Sequence, residues 1–160
     1  TLLLGGNEFG DACAKGFATA LRQNKHSKLM KLDLHGQRPW HLRPKDAADP
    51  GPPISGEAAA ALASTILGRR SLLHVFSLNL EGTWLPLGQL QGVGYLETLD
   101  LSCSQLGVPS LVVIAKCLET NSWLKRLSLR QNRIDAEGAK VLGDALVANR
   151  KLMRLSLIHI

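Results

Sequence analysis

Five histidines, three cysteines and one glycine pair are the groups in this chain that could do chemistry. His26, His35, His41, His74 and His159 are scattered over 160 residues. No two take the helical step of a His-Glu-x-x-His metal site. Only His35 is expected on a strand face, and a lone surface histidine is usually just that. Cys13, Cys103 and Cys117 are odd in number, and no two lie two to four residues apart as zinc ligands would. Cys13 and Cys117 read as core fillers and Cys103 as partly exposed. Gly92-Val93-Gly94-Tyr95-Leu96-Glu97 opens like a dinucleotide fingerprint, but it lacks the third glycine and the βαβ frame. No nucleophile elbow occurs. The chain is therefore expected to be no enzyme, with no cofactor, metal or small-molecule substrate.

Recognition chemistry is the alternative, and charge points to where. The formal net charge is +6. Residues 1–122 hold 11 Lys/Arg against 10 Asp/Glu, whereas residues 123–160 hold 8 against 3. The basic character thus belongs to the last quarter of the chain. A basic end suits an acidic protein surface or a nucleic acid. Nucleic acid is disfavoured, because no aromatics interleave with the basic residues to stack on bases. No apolar run approaches a membrane span, so no membrane partner is expected. Unpatterned cysteines and the lack of any Asn-x-Ser/Thr acceptor lean towards a reducing, cytoplasmic location. The start, Thr1-Leu2-Leu3-Leu4, has neither an initiator Met nor a signal peptide's basic region. A longer parent protein is expected, as is a strand at either end without a polar capping unit.

The elements that must present these charges repeat. Apolar residues recur at positions 1, 4, 6 and 11 of a frame, with a small polar residue at position 9. The clearest copy is Leu124, Leu127, Leu129, Asn132 and Ile134. Leu96, Leu99, Leu101, Ser104 and Leu106 lie 28 residues earlier, and Leu152, Leu155 and Leu157 lie 28 residues later. Leu2, Leu4, Asn7 and Phe9 fit the frame, as do Leu29, Leu32, Leu34 and Gln37. Val75, Leu78, Leu80, Thr83 and Leu85 fit as well. A rival register through Leu73, Phe76 and Leu78 would put the Glu81 carboxylate at the inward polar position, at a desolvation cost.

Behind each strand the spacing turns helical. Gly138, Val141, Leu142, Ala145 and Leu146 form one stripe; Val113, Ile114, Cys117 and Leu118 form another, with Pro109 in a first turn where its missing N–H is harmless. Ala14, Phe17, Ala18 and Leu21 make a third, and Ala58 to Leu67 a fourth. One strand-turn-helix unit cannot bury its own apolar edge, so units must stack. Helices are wider than strands, so the stack is expected to curve with its strands inside. An amide at position 9 can both donate and accept, and so satisfy backbone groups where the strand ends.

The stretch Leu124-Lys125-Arg126-Leu127-Ser128-Leu129-Arg130-Gln131-Asn132-Arg133-Ile134, continuing to Leu146, resembles the leucine-rich repeat in its ribonuclease-inhibitor-like subclass. The resemblance covers most of residues 1–37 and 55–160. It implies an α/β leucine-rich repeat solenoid, with parallel strands on a concave face and helices on the convex one. It also implies work by protein contact, as in the sensor regions of NOD-like receptors, in ribonuclease inhibitor and in the Ran GTPase-activating protein. The leading expectation is an interaction scaffold, a sensor or regulatory region. The alternative is a GTPase activator or other accessory acting in trans on an enzyme.

Two features depart from the frame. The connection Leu85 to Gly92 has no room for a full helix and is expected to be extended or 3₁₀. Residues 38–54, an insertion in a single domain of residues 1–160, hold five of the seven prolines, which excludes regular helix and internal sheet. Their composition fits a disordered loop. A partner-binding flap anchored by Trp40 is the sharper reading, and retained noncoding sequence would look similar.

Side chains between the leucines point away from the core, because they alternate along a strand. This predicts a partner-binding face of Asp33, His35, Asn79, Glu81, Asp100, Arg126, Arg130 and Arg154. Corresponding residues should lie about 5 Å apart on neighbouring strands. Asp33, Glu81 and Asp100 are expected to line up as a mildly acidic stretch. Arg126, Arg130 and Arg154 are expected to form a basic end that meets an acidic protein surface. Trp84 and Trp123 are expected to pack beside the leucines.

Overall fold

Three-residue strands open the repeats, and the middle leucine of each points into the core. The computed structural model describes residues 1–5, 10–24, 26–35, 54–68 and 75–157. Asn7, Phe9, Gln37, Trp40 and almost all of the proline-rich insertion lie outside the described residues. Strand β1 is Leu2–Leu3, β2 Lys31–Asp33 and β3 Ser77–Asn79. They are parallel, with Leu2 opposite Leu32 and Leu32 opposite Leu78. Strands β5 (Thr98–Asp100), β6 (Arg126–Ser128) and β7 (Arg154–Ser156) form a second parallel sheet, with Leu99, Leu127 and Leu155 in register. The pairing of Leu32 with Leu78 agrees with the frame through Val75: Leu78, Leu80 and Leu85 are fully buried, and Phe76 is exposed.

Helices follow the strands where the stripes predict them: α1 (Asp11–Gln23), α2 (Gly56–Ile66), α4 (Val108–Leu118) and α5 (Ala136–Ala148). They pack in chain order, α1 on α2, α2 on α4 and α4 on α5. Their starts are capped by local chemistry. Ser55 Oγ accepts from Ala58 N, and Asp135 Oδ1 accepts from Gly138 N at 2.8 Å. Gly138 is also where α5 approaches α4 most tightly: a Cβ there would lie 2.5 Å from Leu111 Cδ1. A buried cluster of Leu, Ile, Val and Ala runs from Ala14 to Ala145 between the strands and the helices.

One expected feature is corrected. The strands do not form one parallel row, because β4 (Trp84–Pro86) folds back antiparallel on β3, with Leu78 opposite Leu85. Only 21 residues separate Val75 from Leu96, too few for a strand, a helix and two connections. The chain instead turns at Gly82, whose φ is +90°, and closes with a single helical turn, α3 (Leu87–Leu90). Pro86 has no N–H and suits this edge position. The expected lack of a full helix in this connection agrees with the structure.

Asparagine joins unit to unit. Asn132 is buried; its Oδ1 accepts from Ser104 N and Leu106 N of the preceding unit, at 3.0 and 3.1 Å. Its Nδ2 donates to Leu101 O and Leu129 O, at 2.8 and 3.0 Å. A second rung lies at the other end of the helices. Asn149 donates to Leu118 O and Asn121 O, and Asn121 donates to Leu90 O. Their Oδ1 atoms accept from the backbone leading into the next strand.

Candidate functional site

The predicted face separates into two parts with different fates. Around β2 and β3 the polar residues are taken up by the fold. Asp33 and Asn79 face each other in register and are both buried, 8% and 3% exposed. His35 Nδ1 lies 2.5 Å from Asp33 Oδ1, and its ring packs over Gly5. Asn79 Oδ1 accepts from Gly82 N and so holds the β3–β4 turn.

Glu81 does not join an acidic row. Its carboxylate accepts from Gly107 N and Ser110 N at 3.0 to 3.1 Å, the free amides at the start of α4. A carboxylate there is favoured by the helix dipole. The expected line of Asp33, Glu81 and Asp100 is therefore corrected: Asp33 opposes Asn79, Glu81 turns to α4, and Asp100 belongs to the other sheet. The remaining polar frame residue of this unit, Thr83, donates from Oγ1 to Ser104 O.

Around β5, β6 and β7 the side chains stay open. Three rows cross this sheet. Thr98, Arg126 and Arg154 are in register, as are Asp100, Ser128 and Ser156. Ser102 and Arg130 follow just beyond the strands. Together they border a shallow depression of about 220 Å³, floored by Leu99 and Leu127. Arg126, Arg130 and Arg154 are exposed. Among the described residues none of the three forms an ion pair.

Asp100 sits inside this basic surround and is held there. Ser102 donates to it from its hydroxyl at 2.5 Å and from its backbone at 2.9 Å. The Ser102 hydroxyl in turn lies 2.6 Å from that of Ser128. These Ser102 hydrogen bonds, helped by Ser128 and the nearby Arg130 charge, hold the carboxyl below its ordinary range. It stays ionised and offsets part of the arginine charge.

On one edge of the same sheet, contacts between residues 28 apart bind the units together. Lys125 pairs with Glu97, Cys103 Sγ donates to Gln131 Oε1, and Arg133 reaches Gln105. Tyr95 and Trp123 meet edge to face with ring centres 4.6 Å apart, and both are exposed. Trp84 lies 5.9 Å from the Lys31 ammonium and is likewise partly exposed. Cys117 is buried, and that burial pushes its thiol up to about 12. Cys13 is half-buried and Cys103 exposed. Among the described residues no helix is long and apolar enough to cross a membrane.

Residues 120–143 match a family model described as Leucine Rich repeat. The matched stretch contains Leu124, Leu127, Leu129, Asn132 and Ile134 and the first half of α5. The match and the mixed α/β architecture with parallel strands support a leucine-rich repeat protein. That motif generally mediates protein–protein interaction. A comparison with curated proteins returns no match.

Proposed function

We propose that this chain is a protein-interaction scaffold, acting by binding rather than by catalysis, and that it takes its partner on the open face of β5, β6 and β7. The observation that carries the reading is the trio Arg126, Arg130 and Arg154. Three exposed guanidiniums border one depression with only Asp100 against them. Such a surface attracts an acidic partner and speeds encounter. The β2–β3 end contributes less, because Asp33, Asn79 and Glu81 are occupied in holding the fold.

The array itself belongs to the ribonuclease-inhibitor-like type on this reading. The 28-residue spacing from Leu96 to Leu124 to Leu152 and the full helices α4 and α5 support it. Helices wider than strands would bend such an array into a curved solenoid with the arginines on its concave side. The role is that of a sensor or regulatory region of a larger protein. Free thiols at Cys13, Cys103 and Cys117 suit a cytoplasmic setting.

The test is kinetic. A partner recovered on the chain is purified, and its association is measured against wild type and Arg126→Glu/Arg130→Glu at several salt concentrations. Association is expected to slow by about tenfold at low salt and to lose salt sensitivity. Unchanged rates in a folded variant would overturn the assignment of this face.

A further inference from the structure

We propose that the depression over β5, β6 and β7 receives one phosphorylated serine or threonine of the partner, its phosphate gripped between Arg126 and Arg154. This rests on the protein-binding reading above and narrows the partner's chemistry. Register sets Arg126 directly beside Arg154, at a strand spacing of about 4.8 Å. Like charges so placed repel. Glu97, one residue before β5, is engaged by Lys125, so it does not pair with either arginine. An anion between the two guanidiniums removes the repulsion.

Charge and shape select the anion. Asp100 and Arg130 offset one another within the depression, which leaves two positive charges, those of Arg126 and Arg154. A carboxylate brings one negative charge, whereas a phosphomonoester brings about −1.5 to −2 and three acceptor oxygens. Two guanidinium forks can each take a different pair of oxygens on a tetrahedral group. Thr98 and Ser156 border the same space with hydroxyl donors. The volume, about 220 Å³, falls below the roughly 300–1,000 Å³ of sites for whole small molecules. It suits a single side chain delivered on a longer segment.

The experiment uses the 160-residue chain and three fluorescein-labelled pentapeptides, Gly-Gly-X-Gly-Gly, with phosphoserine, glutamate or serine at X. Fluorescence anisotropy is read for wild type, Arg126→Gln, Arg154→Gln and Arg133→Gln, each checked for native circular dichroism. The phosphoserine peptide is expected to bind about tenfold tighter than the glutamate one. Arg126→Gln and Arg154→Gln are each expected to weaken it by about tenfold, and Arg133→Gln, outside the depression, to leave it unchanged. Equal binding of phosphoserine and glutamate overturns the phosphate assignment while the acidic-partner reading stands. Equal losses at Arg133 and Arg126 overturn it too, as diffuse attraction. No phosphoserine binding at millimolar peptide also overturns it; the wider reading is then decided by the charge-reversal kinetics.

Discussion

Replacing Asn132 with alanine removes the side chain that ties two successive units together. Four backbone groups lose their partner: the N–H groups of Ser104 and Leu106, and the carbonyls of Leu101 and Leu129. Hydrogen bonds of this kind contribute about 1 kcal/mol each, and a buried group left unsatisfied costs about 1–3 kcal/mol. The expected loss is about 4 kcal/mol, a large share of the roughly 5–15 kcal/mol that holds a typical domain. Urea unfolding followed by circular dichroism gives the total through the midpoint and slope. Amide hydrogen exchange gives the location, with protection lost first at Ser104 and Leu106. Asn132→Asp separates the two halves of the interaction. A carboxylate still accepts from the two N–H groups but repels the two carbonyls, so this variant should be unstable at neutral pH and recover partly on acidification. A loss under about 1 kcal/mol for Asn132→Ala, with exchange unchanged at Ser104 and Leu106, would refute the reasoning.

Glu81→Ala removes the carboxylate at the start of α4 and should cost about 1–2 kcal/mol, with Glu81→Gln losing less; chemical denaturation measures both. Asp11 accepts from the backbone N–H and the hydroxyl of Ser55, and chiefly the backbone bond holds its pKa below 3.8. Its folded pKa lies below the unfolded one, so its contribution is fully present above pH 3.8 and fades as pH falls through the lowered value. A melting series from pH 2 to 5 should therefore be flatter for Asp11→Asn than for wild type. Under native conditions Cys103 should react rapidly with a thiol reagent and Cys117 should not, since Cys117 is buried with its thiol raised to about 12. Loss of the fast phase in Cys103→Ser checks the assignment, and persistence of that phase would contradict it.

The leucine frame made the strands and full helices legible, because every unit buries the same positions and a period survives variation at any one of them. The Leu32, Leu78 pairing and the Leu99, Leu127, Leu155 row follow from it directly. The fold of β4 was not legible. Trp84-Leu85-Pro86 is too short to carry a pattern, and its pairing is forced by the brevity of the connection. The second asparagine rung did leave a signal: Asn121 and Asn149 share the 28-residue spacing, although Asn149 alone reads only as a helix end.

Alternation along a strand was a good guide at Arg126 and Arg154 and a poor one at Asp33 and Asn79. In strands of three residues the last side chain is roofed by the turn that follows. His35 covers Asp33 in this way, and Gly82 draws in Asn79. Glu81 finds its donors 26 residues away at Gly107, a partnership that local pattern cannot reveal. The basic face was readable because its residues reach outward and meet no competing carboxylate except Asp100.

Everything assigned to that face depends on the register that sets Arg126 beside Arg154. Through-hydrogen-bond scalar couplings in isotope-labelled chain read it directly. Coupling is expected from Leu101 N to Ser128 C=O and from Leu129 N to Ser156 C=O, the 2.9 and 2.8 Å bonds of the parallel ladder. Couplings displaced by one residue would turn the arginines to the opposite side of the sheet and contradict the account.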